Sequence, residues 1–224
     1  MGKILIFDCN ETLIDLESLN PVFERILGSK ESMRVWFANM ILYSCALTLS
    51  DSYVPFTDIG GSVLEMLAHA RGKKISADDR AELAQRFSSM PVHPEVPGAL
   101  KRLKDAGFRL FTLTDTPAAT NGKQLEQAGI LNLFERRFSV DDTVQRHKPA
   151  REAYDHVVKT LEVKPSEATM IACHIWDTMG AVAAGWDAAF IARKENEVLG
   201  VGPQPTYVGR DLNEIADQLI AKHA

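Results

Sequence analysis

The sequence predicts an α/β fold, a parallel sheet flanked by helices with a helical segment inserted after the first strand. Three observations predict it. Lys3 to Phe7 (KILIF) is a short, continuous apolar run, the pattern of a strand buried on both faces of a parallel sheet. From Arg109 onward strands and helices alternate, the signature of right-handed βαβ units. Between these two regions, residues 14–92 repeat apolar side chains at helical spacing instead.

Taken in order, the first strand ends at Asp8. The insertion then carries Phe23, Ile26 and Leu27, next Val35, Trp36, Met40, Ile41, Leu42 and Cys45, next Ile59, Val63, Leu64, Met66 and Leu67, and last Leu83 and Phe87. Pro91, Pro94 and Pro97, followed by Gly98, mark the return to the sheet, because prolines this dense suit neither a helix interior nor a central strand. The spacing then predicts strands at Arg109–Leu113, Arg137–Val140, Ala168–Cys173 and Ala188–Ala192, with helices at Thr120–Ala128, Ala150–Leu161 and Thr178–Ala184 between them. The expected division is a core domain of residues 1–13 and 93–224 and a helical cap domain of residues 14–92.

Composition narrows the function classes. A chain of 224 residues that is 46% hydrophobic can bury a sizeable core. Its 25 Lys and Arg against 30 Asp and Glu, with no long run of either sign, offer nothing to nucleic acid or an anionic membrane and leave a small molecule as the expected partner. The first apolar run is too short for a signal peptide, and no stretch approaches the ~18 apolar residues of a membrane span, so a cytoplasmic chain is expected. Cys9, Cys45 and Cys173 form no CxxC pair, which argues against a disulfide framework and against structural zinc.

In an open parallel sheet the loops at the carboxyl ends of the strands converge on one crevice. The residues to read are therefore Asp8-Cys9-Asn10, Thr114-Asp115, Lys148, and His174 to Asp177. A carboxylate on a strand tip is rigidly held and can act as a nucleophile, splitting a hard displacement into two easier steps. Lys148 can neutralise and orient Asp8, while the hydroxyls of Thr12 and Thr114 can donate to substrate oxygens. Asp8 alone would better suit a helix N-cap or a loop-ordering role; four such positions in order, each at a strand end, favour the catalytic reading.

Together the segments FDCNETL, LTDTP, HKPAREAY and CHIWDTMGA resemble the four motifs of the haloacid dehalogenase (HAD) superfamily over nearly the whole chain. The resemblance implies a HAD-like Rossmannoid core, a nucleophilic Asp8, and roles for Thr114, Lys148 and Asp177. Family phosphatases use Mg²⁺, a second Asp two residues after the nucleophile and an acidic metal ligand after the fourth strand. Here those places hold Asn10, which cannot give up a proton at neutral pH, and Cys173, whose soft sulfur suits hard Mg²⁺ poorly. These departures bring the chain nearer the type II 2-haloacid dehalogenases, as do Trp176-Asp177 before Gly180-Ala181, the Lys148 to Tyr154 spacing, and a cap with Trp36, Tyr43 and Tyr53 to Phe56.

That resemblance implies metal-independent displacement of halide from a 2-haloalkanoate through an aspartyl ester. Asp177 would activate water, Lys148 and Tyr154 would hold the nucleophile and its surroundings, and Thr114 would bind the substrate carboxylate. Substrate-contact candidates are Asn10, Phe37, Phe56, Asp115, Tyr154, His174 and Trp176, with no metal ligand and no cofactor. Three positions depart from the family pattern. Phe37 stands where the family has a halide-binding Arg, with Arg34 one turn earlier; Asp115 replaces an Asn; Cys173-His174 replaces a Ser-Asn pair. Asp115 beside an anion is repulsive unless protonated or paired. His174 reads either as a partner of Asp115 or Asp177, or a base toward water, or as a backbone-bonded histidine; His147 reads as exposed or structural. Two rivals remain, a Mg²⁺-dependent small-molecule phosphatase and a non-catalytic binding protein. The apolar stripe with Ile41 and Cys45 fits either a homodimer face or packing on the core.

Overall fold

The computed structural model describes residues 4–223. Lys3, the first residue of the expected opening strand, lies outside them. Strand β1 (Ile4–Phe7) is followed by helices α1 (Asn20–Leu27), α2 (Ser32–Leu49), α3 (Phe56–Ala70) and α4 (Ala77–Ser88), all within the inserted segment. Then come α5 (Val96–Asp105), β2 (Arg109–Thr114), α6 (Ala118–Gln127), β3 (Arg136–Ser139), α7 (Arg151–Leu161), β4 (Ala168–Ala172), α8 (Ile175–Ala183), β5 (Asp187–Ile191), β6 (Tyr207–Gly209) and α9 (Leu212–His223).

The six strands form one parallel sheet in the order β3-β2-β1-β4-β5-β6, so the direction of winding reverses at β1. That reversal opens the crevice at the carboxyl end of β1, between β2 and β4. Successive side chains of a strand point to opposite faces, and all four of β1 are buried. Leu5 and Phe7 join an apolar cluster with Leu100 of α5, Leu219 of α9 and the insertion's Phe23, Trp36 and Phe56. Ile4 and Ile6 join the opposite cluster with Tyr154 and Val157 of α7 and Ala181 of α8. The insertion therefore shares a core with one face of the sheet.

The chain crosses into and out of the insertion side by side. Ile14 and Val92 form an antiparallel bridge, flanked by Asp15 N–H donating to Pro91 O (2.7 Å) and His93 N–H donating to Leu13 O (2.9 Å).

Three expectations change. Pro97 and Gly98 lie inside α5, in its first turn, where a missing N–H costs nothing. Helix α8 begins at Ile175, so Trp176 and Asp177 sit in a helical first turn rather than a loop. Ile41 and Cys45 are only partly exposed, and Ile41 packs on the core; the outward apolar residues of α2 are Val35, Leu42, Tyr43 and Leu49.

Candidate active site

Asp8 follows β1 directly, and its N–H extends the ladder to Ile171 O at 3.0 Å. The chain then curls back, Leu13 and Ile14 both donating to Cys9 O, with Glu11 at a left-handed φ of 63°. This curl places Thr12 so that its hydroxyl donates to Asp8 Oδ2 (2.7 Å) and accepts from Cys173 N–H (3.0 Å). Both capacities of that hydroxyl are committed, so Thr12 orients Asp8 and does not reach a substrate oxygen as the sequence reading expected.

Lys148 is 1% exposed, and its ammonium donates to Asp8 Oδ1 (2.9 Å), Asp177 Oδ2 (2.6 Å) and Leu113 O (3.0 Å). All three of its protons are used, which is what makes a buried ammonium tolerable. Burial opposes its charge, but Asp177 and Asp8 more than compensate and raise its pKa. Burial would likewise raise the Asp8 carboxyl; Lys148, His174 and the Thr12 hydroxyl reverse that and hold it well below the usual carboxylate range. Asp177 differs. Burial lifts it, Asp8 adds to the rise, and despite Lys148 and Tyr154 it stands at about 6.

Tyr154 does not line the space above Asp8. Its hydroxyl donates to Asp177 Oδ1 (2.7 Å) from a fully buried position behind the carboxylate, so it positions Asp177 instead of touching substrate. Asp115 is paired, as its position demands: Oδ1 accepts from Lys148 N–H (3.0 Å) and faces His147 Nδ1 (3.2 Å). His147 is fully buried, and its Nε2 donates to Val54 O (3.0 Å), tying the link between α2 and α3 to the core. It is structural and not exposed.

His174 pairs with neither Asp115 nor Asp177. Its Nε2 meets Glu11 Oε2 (2.8 Å) and its Nδ1 faces Asp8 Oδ2 (3.4 Å). Burial opposes its charge, while Cys173 and Asp8 raise its pKa to about 10, so it is a cation at neutral pH and no base toward water. Arg34 forms an ion pair with the other oxygen of Glu11. It is not a free substrate ligand. Glu11, 3% exposed, is the site residue that the sequence did not reveal.

Directly above Asp8 lies a cavity of about 10 Å³, room for roughly one water molecule. Its walls are Asn10, Phe37, Ile41, Phe56, Thr114, Asp115, His174 and Trp176. Six of the seven expected substrate contacts are thus gathered around the nucleophile, Tyr154 being the exception. Asn10 Nδ2 donates to Thr116 Oγ1 (2.9 Å), leaving its Oδ1 buried and unpartnered. Phe37, Ile41, His174 and Trp176 also wall a larger outer chamber of about 450 Å³ with Arg34 and Glu195.

The residues do not fit Mg²⁺. The two carboxylates that could share the ion, Asp8 and Asp177, are already bridged by Lys148, and Cys173 offers sulfur where oxygen is wanted. Among the described residues, one trio has metal-binding atoms within reach of each other, Glu11, Cys173 and His174, within 4.8 Å. The Cys173 sulfur and His174 imidazole suit a transition metal better than Mg²⁺, and Glu11 is already engaged by Arg34 and His174.

Comparison with known proteins agrees with this arrangement. The family model for haloacid dehalogenase-like hydrolases matches residues 3–185. The chain is 26% identical over 217 residues to (S)-2-haloacid dehalogenase 2 of Pseudomonas sp. strain CBS-3, covering 96% of this chain and 94% of that one. It is 24% identical to haloacetate dehalogenase H-2 of Moraxella sp. strain B, covering 86% and 88%. The L-2-haloacid dehalogenase structure from Xanthobacter autotrophicus superposes with a TM-score of 0.91 at 22% identity over 100% of both chains, which establishes the shared fold. The strand-tip aspartate, its lysine bridge and the match over most of the chain make this protein a member of the haloacid dehalogenase-like hydrolases.

Proposed function

We propose that the protein hydrolyses small 2-haloalkanoic acids to 2-hydroxy acids through an ester on Asp8. The observation that carries this reading is the bridge Asp8–Lys148–Asp177 beside a small, aromatic-walled cavity, a nucleophile and a water-activating carboxylate held together with a donor set that does not suit Mg²⁺. The haloacid-dehalogenase names of several relatives support it.

In the first step an Asp8 oxygen attacks C2 and halide leaves with the bonding pair. Phe37, Phe56 and Trp176 keep water away, so the carboxylate meets carbon without a hydration shell. Thr114, whose hydroxyl oxygen accepts from Thr116 N–H and keeps its own proton, reaches the cavity and would donate to the substrate carboxylate. In the second step Asp177, poised near 6, takes a proton from water as that water attacks the Asp8 carbonyl carbon, and Tyr154 fixes its orientation. Asp115, paired to His147 and the Lys148 N–H, shapes the far wall. We take residues 14–92 as the cap domain and 1–13 with 93–224 as the core, on the strength of the paired crossing at Ile14 and Val92. No helix of the described residues is long and apolar enough to cross a membrane, and three free cysteines support a cytoplasmic setting.

The test is halide release from chloroacetate, bromoacetate, fluoroacetate and both enantiomers of 2-chloropropionate, with Asp8→Asn as the blank. Release that needs Asp8 and survives a chelator is expected. Activity confined to phosphate esters, and lost with chelator, would overturn the reading in favour of a phosphatase.

A further inference from the structure

His174 stands just before the amino end of α8, its ring stacked on Trp176 (centroids 5.2 Å apart, 14° between planes) and packed on Phe37 (5.4 Å). The aromatic faces fix the ring plane and leave only its two nitrogens to interact. Nε2 is taken by Glu11, a carboxylate that only accepts, so this nitrogen carries a proton. Nδ1 is buried and has no hydrogen-bond partner, yet it faces Asp8 Oδ2 at 3.4 Å. Burying an imidazole with one idle nitrogen is costly unless some state of the reaction uses it.

The two oxygens of Asp8 are served differently. Oδ1 meets Lys148, whereas Thr12 and His174 converge on Oδ2. Once Oδ1 has bonded to the substrate carbon, Oδ2 is the ester carbonyl oxygen, the atom that becomes negative when water adds.

Resting on the dehalogenase reading, we propose that His174, held by Glu11, is a catalytic oxyanion donor for ester hydrolysis: with Thr12 it stabilises Asp8 Oδ2 while Arg34 locks Glu11 in place. Water oxygen bonds to the Asp8 carboxyl carbon, the carbonyl π pair moves onto Oδ2, and the water proton goes to Asp177. Collapse returns the pair, breaks the bond from that carbon to Oδ1, and Oδ1 leaves as the product hydroxyl with the proton from Asp177. The 3.4 Å gap shortens as charge grows on Oδ2, as such contacts do between resting and transition states. A cationic histidine matches the task, and the rise of its pKa to about 10 agrees with it.

Several charged or titratable groups surround the ring. Asp8, Glu11 and Cys173 touch it directly. Arg34 of α2 and Glu195 stand behind Glu11, Asp115 lies across the cavity, and Lys148 with Asp177 lies beyond Asp8. Removing the charge of Glu11 withdraws the partner that holds Nε2.

The experiment is single-turnover reaction with chloroacetate, following halide and the intact-protein mass in wild type, His174→Gln and Glu11→Gln. His174→Gln is expected to release one equivalent of halide and accumulate the Asp8 ester, with hydrolysis slowed about 10²–10³-fold. Glu11→Gln, which keeps the ring should His174→Gln fold poorly, is expected to move the alkaline limb of kcat to lower pH. Ester hydrolysis at the wild-type rate in His174→Gln, loss of its first equivalent of halide, or an unmoved pH limb in Glu11→Gln would overturn the role. Absence of halide release from the wild type would instead overturn the dehalogenase reading itself.

Discussion

At the scale of single residues, the site depends on a charge that is expensive to bury and is therefore fully paired. Lys148 stands between two carboxylates with every proton donated. Lys148→Ala would leave Asp8 and Asp177 facing one another without it, and a loss of about 3–5 kcal/mol in urea unfolding is expected, together with loss of turnover. Two titrations should bound activity. Asp177 must be ionised to accept a proton, so kcat is expected to fall as pH drops through about 6. His174 must be charged, so kcat is expected to fall again as pH rises through about 10. A profile flat across the acid range would contradict the role of Asp177. Phe37 sets the size of the space: it is 6% exposed and walls a cavity of only about 10 Å³. Phe37→Ala should shift the kcat/KM ratio toward longer 2-haloacids, measured as 2-chlorobutyrate against chloroacetate, and an unchanged ratio would mean that the wall is elsewhere.

Among the elements, α7 and α8 meet with no room to spare. A Cβ on Gly180 would fall 2.5 Å from Tyr154 Oη and 2.6 Å from Pro149 Cβ. Gly180→Ala is therefore expected to cost about 1–3 kcal/mol in thermal or urea unfolding. It should lower kcat more than it raises KM, because the displaced tyrosine is the one that holds Asp177. An unchanged kcat would show that Tyr154 does not position that carboxylate. The same elements show what a sequence can and cannot disclose. β1 is buried on both faces and reads as an unbroken apolar run, β2, β4 and β5 are nearly as buried with only a threonine or a polar first residue among them, and the reactive residues fall at the ends of β1, β2 and β4. β6 is three residues long with Val208 exposed, too short to carry a pattern. The positions after the strands were legible because topology alone brings them together. Glu11 was not, since its left-handed backbone turns the side chain toward His174 and nothing in FDCNETL announces that turn. Nor was the depth of His147, which depends on Val54 from the insertion meeting a loop far along the chain.

For the molecule as a whole, the reversal of winding at β1 supplies the crevice and the inserted helices close it. A haloacid is larger than the space above Asp8, so binding requires Phe37 and Ile41 of α2 to draw back from His174 and Trp176, joining that space to the outer chamber the four also wall. In an ester mechanism Asp8 itself gives an oxygen to the product. Single-turnover reaction of excess enzyme with chloroacetate in water of heavy oxygen tests it directly, by the mass of the glycolate and of the peptide containing Asp8. Unlabelled glycolate and a heavy atom in Asp8 are expected; labelled glycolate with an unlabelled Asp8 would mean that water attacks the substrate carbon directly and would overturn the ester mechanism.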